Sequence, residues 1–190
     1  MPVYDELHKY EDKIHHVLTR HEQGATHSAQ GFARISGKVG VAIATSGPGA
    51  TNLVTGLADA QIDSTPMVCI TGQVASHLLG SDAFQETDIV GISTPVTKWN
   101  HQITKASDIP NVLAKAFYIA KSGRPGPVLI DITKDAQFDM FDFNYSKVTG
   151  IRSYKPVPKP QITSLNLAAD LINNASKPMI VWGQGVILSE

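Results

Sequence analysis

The sequence predicts an α/β domain built on a parallel sheet with helices on both faces, followed by the start of a second α/β unit. Three observations carry this. Segments 38–45 (KVGVAIAT), 66–72 (PMVCITG) and 127–133 (PVLIDIT) are apolar nearly throughout. Strands covered on both faces read that way, whereas half-exposed strands alternate. Helical patterns separate these segments, and such alternation makes crossover units and a parallel sheet. With 190 residues, 42% hydrophobic and 17% charged, the chain can also bury a core without disulfides or structural metal.

The N-terminal MPVYDELHKYEDK is acidic, amphipathic and short of apolar residues, so it does not read as a signal peptide. Residues 14–19 (IHHVLT) and 98–103 (KWNHQI) are shorter strand candidates. Helices are expected over 23–36, 50–63 and 108–122; the last repeats Ile109, Val112, Leu113, Ala116, Phe117 and Ala120 at helical spacing. Residues 71–91 form a long loop in which Leu78, Leu79, Phe84, Ile89 and Val90 call for burial. The run Lys155-Pro156-Val157-Pro158-Lys159-Pro160 cannot hold a helix and reads as an extended connector. A helix over 161–175 and a strand with a glycine turn over 178–185 then begin a second unit. The expected division is a first domain at 1–137, a linker at 138–160 and a new domain starting at 161–190.

Sixteen basic and seventeen acidic residues leave a net charge of -1. No Lys/Arg run is present to grip nucleic acid or an anionic membrane, and no apolar run approaches the roughly 20 residues of a spanning helix. The lone Cys69 excludes an internal disulfide, fits a reducing cytosol and reads as an inert core thiol. His15 and His16 are adjacent on a candidate strand and so face opposite ways. His21 and His27 lack partners at a ligand spacing, so no metal site is expected. A nucleophile elbow of the G-x-S-x-G kind is absent.

Glu22 falls at the carboxyl end of a strand and the start of a helix, the edge where open parallel sheets bind ligands. It could equally complement the helix dipole, worth about 0.3–1 kcal/mol. The loop Ser46–Asn52 (SGPGATN) joins a buried strand to a helix. It could cradle an anion, although the dinucleotide fingerprint is incomplete there. Gln85, Glu86 and Asp88 are the polar candidates of the long loop; loop carboxylates are more often solvated than catalytic.

Taken together, RHEQGATHSAQGFARISGKVGVAIATSGPGATNLVTGLADAQIDSTPMVCITGQV, DAFQETDIVG and SGRPGPVLIDITKD closely resemble the pyrimidine-binding domain of thiamine diphosphate enzymes. The resemblance is to the large catalytic subunit of the acetolactate synthases and covers essentially the whole chain. It implies that Glu22 hydrogen-bonds the aminopyrimidine ring of thiamine diphosphate. A carboxyl group at ring nitrogen N1′ favours the imino form, whose N4′ can take the thiazolium C2 proton. Such an acid, enclosed against an apolar ring, should hold its proton more readily than a free glutamate. The resemblance also places Pro48 and Asn52 in the pyrimidine pocket, replacing the anion reading, and Phe84 and Gln85 near the reacting carbon. It assigns Arg124 to FAD and Lys134 to the substrate channel, and implies that residues 161–190 begin a central FAD-binding-type domain.

Ala75 stands where the family usually has proline, and Thr133 where DIPKD is commoner. Family members also have a first strand ahead of this start, the rest of the middle domain, and a diphosphate domain with the magnesium ligands. The implied activity is decarboxylation of pyruvate and its condensation with a second 2-oxoacid, in branched-chain amino-acid synthesis. Implied partners are a homodimer or tetramer and a small regulatory subunit, in the cytoplasm, with no nucleic acid and no membrane. By itself the chain is expected to be inactive, marginally stable and self-associating. Two other readings stay open: a different enzyme of the superfamily, such as a pyruvate oxidase, and a non-catalytic interaction module.

Overall fold

The structure, a computed structural model, describes residues 2–189. Four strands form one parallel sheet: β1 (Gly40–Ala44), β2 (Met67–Gln73), β3 (Trp99–Ile103) and β4 (Pro127–Thr133), in the order β1-β2-β4-β3. Gly40 pairs with Met67, Met67 with Pro127, and Trp99 with Val128. β2 and β4 lie between neighbours, and β4 is buried along its whole length. That burial is why these segments read as unbroken apolar runs. Pro127 costs the ladder little because it is the first residue of its strand.

Helices cover both faces. α2 (Glu22–Ser36) turns Thr26, Ala29, Gln30 and Ala33 inward, one stripe at helical spacing. It begins at the His21 cap, whose Nδ1 accepts the Gln23 N–H at 3.1 Å, and it ends at Gly37 in the left-handed region. α3 (Pro48–Asn52) and α4 (Val54–Ile62) replace the single helix expected over 50–63. The break falls at Leu53, whose N–H turns back to Ala50 O. α4 packs tightly on α2: a Cβ at Gly56 would lie 2.0 Å from Thr26 Oγ1. Ala29, Leu53, Leu57, Met67, Cys69 and Leu129 share the core of this face. Burial pushes the Cys69 thiol up to about 12, so it stays protonated. Val68, Val128 and Ile130 alternate with these residues and point to the other face, which α6 (Ile109–Lys121) covers with Val112, Ala116, Ile119 and Ala120.

Residues 14–19, a strand by pattern, are irregular and exposed, with Leu18 at 82%. A strand exists only against a neighbour, and β1 pairs with β2 alone among the described residues. The N-terminal segment carries α1 (Pro2–Lys9) instead. Between β2 and β3, a 3₁₀ turn at Ser76–Leu78 leads to α5 (Ile89–Ser93). Ile89 is buried as expected, but Phe84 is 88% exposed and Leu78 is also exposed. α7 (Lys134–Phe138) follows β4 directly.

Chain contacts divide the molecule into residues 1–150 and 151–190. The second unit holds an Ile151–Tyr154 bridge, α8 (Ile162–Asn174) and α9 (Gln184–Ile187), with no buried residue among those described. Residues 178–183 are irregular, so the strand expected there is not formed. Its pattern, like that of 14–19, records a preference that needs a partner strand to act on.

Candidate functional site

At the carboxyl edge of the sheet four pieces of chain converge: the start of α2, the glycine loop after β1, the loop 74–88 after β2, and the turn after β4. Glu22 is the first residue of α2 and is half-buried. Asn52, the last residue of α3, donates from Nδ2 to Glu22 Oε2 at 3.0 Å. The Asn52 amide, then the amide N–H of Glu22 itself, hold this carboxyl below the usual glutamate range, against a smaller opposing effect of burial. Glu22 is therefore a carboxylate aimed by an amide, with its other oxygen toward Gly49: a Cβ on residue 49 would stand 3.4 Å from Oε1.

Gly47 has a φ of 60°, which a glycine reaches without strain. Its missing side chain lets the long loop close down: a Cβ there would lie 2.8 Å from Gln85 O. One short loop, residues 47–52, thus touches Gln85 at one end and Glu22 at the other. Pro48, between them, is exposed at the first turn of α3. Gln85 is exposed and has a left-handed φ of 60°.

The long loop is tied at both ends. Gln73 Nε2 donates to Thr87 O at 2.9 Å and to the buried Asp131 at 3.1 Å. Asp131 also accepts from Thr71 Oγ1 at 2.7 Å and Gln102 Nε2 at 2.9 Å. Burial pushes its pKa up while these three donors pull it down, and burial prevails. At the loop's start, Asp135 accepts from Ser76 N at 3.0 Å and Ser76 Oγ at 2.5 Å. These bonds hold Asp135 well below the usual carboxylate range. Sequence reading missed Asp131 and Asp135 as site-builders, since nothing local marks bonds that span some sixty positions.

It also missed Tyr4. Its hydroxyl donates to Ile43 O at 3.4 Å, near the carboxyl end of β1. Burial first, then the Glu22 charge, raises its pKa, which places the phenol within electrostatic reach of Glu22. No local signal in MPVYDEL foretells this.

Lys134 opens α7 at the same edge, exposed, its N–H on Val74 O at 3.3 Å. Arg124 is not brought to this site. It precedes β4, so the seven-residue strand (about 3.3 Å per residue, hence about 20 Å) separates it from the carboxyl edge. There Nε donates to Ser64 Oγ at 2.8 Å, and Nη2 to Gln61 O and Ile62 O at 3.3 and 3.1 Å, closing the end of α4. Among the described residues no group of three or more His, Cys, Asp or Glu is placed to hold a metal ion, and no helix is long and apolar enough to cross a membrane.

The site fits an aminopyrimidine. A half-buried carboxylate with one oxygen fixed by an amide can meet a ring nitrogen with the other, while Gly47 and Gly49 let Gln85 and Thr45 close against the adjoining loop.

Residues 1–92 match the family model of the thiamine pyrophosphate enzyme N-terminal TPP binding domain. That span contains Glu22, Pro48, Asn52, Phe84 and Gln85, and ends before Arg124 and Lys134. The chain is 55% identical over all 190 residues to an acetolactate synthase large subunit of Corynebacterium glutamicum, of which it covers 30%. It is 55% identical over 188 residues to an acetolactate synthase of Mycobacterium leprae, again covering 30%. It is 46% identical over 187 residues to an acetolactate synthase large subunit of Lactococcus lactis, covering 32%. The chain thus spans about a third of the length of the curated relatives it matches. Over residues 1–92 the chain is similar to the thiamine pyrophosphate enzyme N-terminal TPP binding domain, and along its whole length it is similar to acetolactate synthases.

Proposed function

We propose that this chain is the part of an acetolactate synthase large subunit that encloses the aminopyrimidine ring of thiamine diphosphate. The Glu22–Asn52 pair, at 3.0 Å, carries the reading. The bound cofactor supplies a thiazolium carbon that becomes a nucleophile toward a 2-oxoacid carbonyl once deprotonated. The chain's own task is to hold protons and exclude water. Asn52 fixes Glu22 through Oε2, so that Oε1 can share a proton with ring nitrogen N1′. Enclosure by an apolar ring would remove Glu22 from water and raise its pKa from the lowered value, bringing proton exchange within reach of neutral pH. Pro48 and the Gly47 backbone bound the ring's space. Gln85 offers an amide to the oxygens of the reacting 2-oxoacid, with Phe84 and Lys134 along its approach.

The remaining assignments extend this reading. The substrates are pyruvate and a second 2-oxoacid, and the product feeds branched-chain amino-acid synthesis in the cytoplasm. The catalytic subunit assembles as a homodimer or tetramer in which the diphosphate domain of another copy supplies the magnesium and diphosphate ligands, and a small regulatory subunit is a further partner. Arg124 contacts FAD, a task that falls to Nη1 because Nε and Nη2 close α4.

Glu22→Gln in the complete gene product tests the reading. The amide still fills the site, so thiamine diphosphate binding should change little in titration calorimetry. Acetolactate formation should fall by about 10²–10⁴, the usual worth of a positioned acid or base. A variant with wild-type turnover would refute it.

A further inference from the structure

Of the three polar residues singled out in the long loop, Asp88 caps α5 by accepting the Gly91 N–H at 2.9 Å, and Gln85 is exposed. Glu86 turns inward. Its Oε1 accepts the Gly80 N–H, and its Oε2 accepts those of Ser81 and Ala83, both at 3.1 Å. Its own N–H donates to Ala83 O at 2.9 Å. The N–H donors, Gly80 foremost, hold the carboxyl below the usual glutamate range, so the clasp is charged at neutral pH.

Inside this clasp the backbone is left-handed three times, at Gly80 (φ 76°), Asp82 (φ 55°) and Gln85 (φ 60°). The last two are side-chain-bearing residues that leave this region unless their surroundings hold them. Gln85 adjoins Glu86, and in this conformation its backbone seats on Gly47. Gln73 ties the end of the loop to β2 and Asp135 ties its start to α7, while Glu86 gathers its middle.

We infer that Glu86 is a positioning residue: its carboxylate holds Gln85 in the left-handed conformation that presents the amide over the Gly47–Asn52 loop. This rests on Gln85 as the substrate contact. The structural alternative is a clasp that only stabilises an exposed loop, which would leave substrate kinetics untouched.

The test is a double-mutant cycle in the complete cofactor-loaded enzyme, with Glu86→Gln, Gln85→Ala and the pair, assayed with pyruvate. Glu86→Gln should lower kcat/KM about tenfold or more, and Glu86→Asp should recover part of it. Thiazolium C2 proton exchange, which depends on Glu22, should stay within about twofold of wild type. In the Gln85→Ala background, removing Glu86 should cost nothing further, because residues acting as a unit are not additive. Two further readouts do not depend on activity. Hydrogen exchange at Gly80, Ser81 and Ala83 should speed up about tenfold or more in Glu86→Gln. In the wild-type protein, which serves if that variant fails to fold, the same three amide protons should titrate together with one carboxylate below the usual glutamate range. If Gln85→Ala lowers kcat/KM but Glu86→Gln does not, or if their losses multiply, the inference falls and the Gln85 reading stands. If Gln85→Ala changes nothing, both fall.

Discussion

Replacing Gly47 by alanine probes whether the glycine loop and the long loop form one unit. Gly47 has φ 60° and ψ -121°, a region that a residue with a side chain occupies at about 1–3 kcal/mol. The new Cβ would also stand 2.8 Å from Gln85 O and 3.0 Å from its Cα and Cβ. Those contacts are well inside the about 3.5–4.0 Å of unstrained carbon neighbours. Forced overpacking of this kind costs about 1–3 kcal/mol. If both loops hold their places, the two costs together come to about 2–6 kcal/mol, a large share of a domain's stability of about 5–15 kcal/mol. If the long loop lifts instead, the contact is relieved, about 1–3 kcal/mol remains, and Gln85 is displaced. The two outcomes register differently. The first lowers the urea midpoint of residues 1–150 with kinetics preserved in the molecules that stay folded. The second spares most of the stability and lowers kcat/KM for the 2-oxoacid. A Gly47→Ala variant with both the urea midpoint and kcat/KM unchanged would refute the packing argument.

Gly56→Ala should destabilise the domain by about 1–3 kcal/mol, since the new methyl meets the fully buried Thr26 at 2.0 Å; an unchanged thermal midpoint would contradict the α2–α4 contact. Asp135 has a folded pKa below its unfolded value, so its tie to Ser76 contributes stability above the unfolded pKa of about 3.9 and loses it as pH falls below that. Loop 74–88 should therefore loosen in acid, read by proteolysis, and Asp135→Asn should loosen it already at pH 7; a variant with wild-type resistance would sink the anchor. Arg124→Ala should weaken flavin retention on dialysis and fray the end of α4 while C2 proton exchange stays measurable; unchanged retention would leave Arg124 as a helix cap alone.

What the sequence reveals depends on how local the cause is. β2 and β4 are legible because burial on both faces imposes an apolar run within a single segment, whereas β1, at the edge, carries the same kind of run although Val41 is exposed. Segments 14–19 and 178–183 carry equally strand-like patterns and stay unpaired, because pairing is a property of two segments and a pattern describes one. The site shows the same division. Glu22, Pro48, Asn52 and Gln85 are marked by the motifs that contain them, and the structure gathers them at one edge. The partners that shape that edge, Tyr4 behind Glu22 and Asp131 and Asp135 beneath the loop, reach it through bonds spanning 39 to 60 positions. Phe84 looks like core by its chemistry and is exposed, next to the left-handed Gln85. Glu86 looks like a solvated loop carboxylate and is instead bonded to three backbone amides.

On the proposed reading, Glu22, aimed by Asn52, governs proton removal at the thiazolium C2 of bound thiamine diphosphate. Proton exchange at that carbon, followed by NMR in the complete cofactor-loaded protein, measures this step apart from any later chemistry. Glu22→Gln should slow the exchange by about 10²–10⁴, as loss of a positioned acid or base does. Asn52→Ala should slow it less, since the carboxyl survives but is no longer held. Exchange at the wild-type rate in Glu22→Gln would contradict the account.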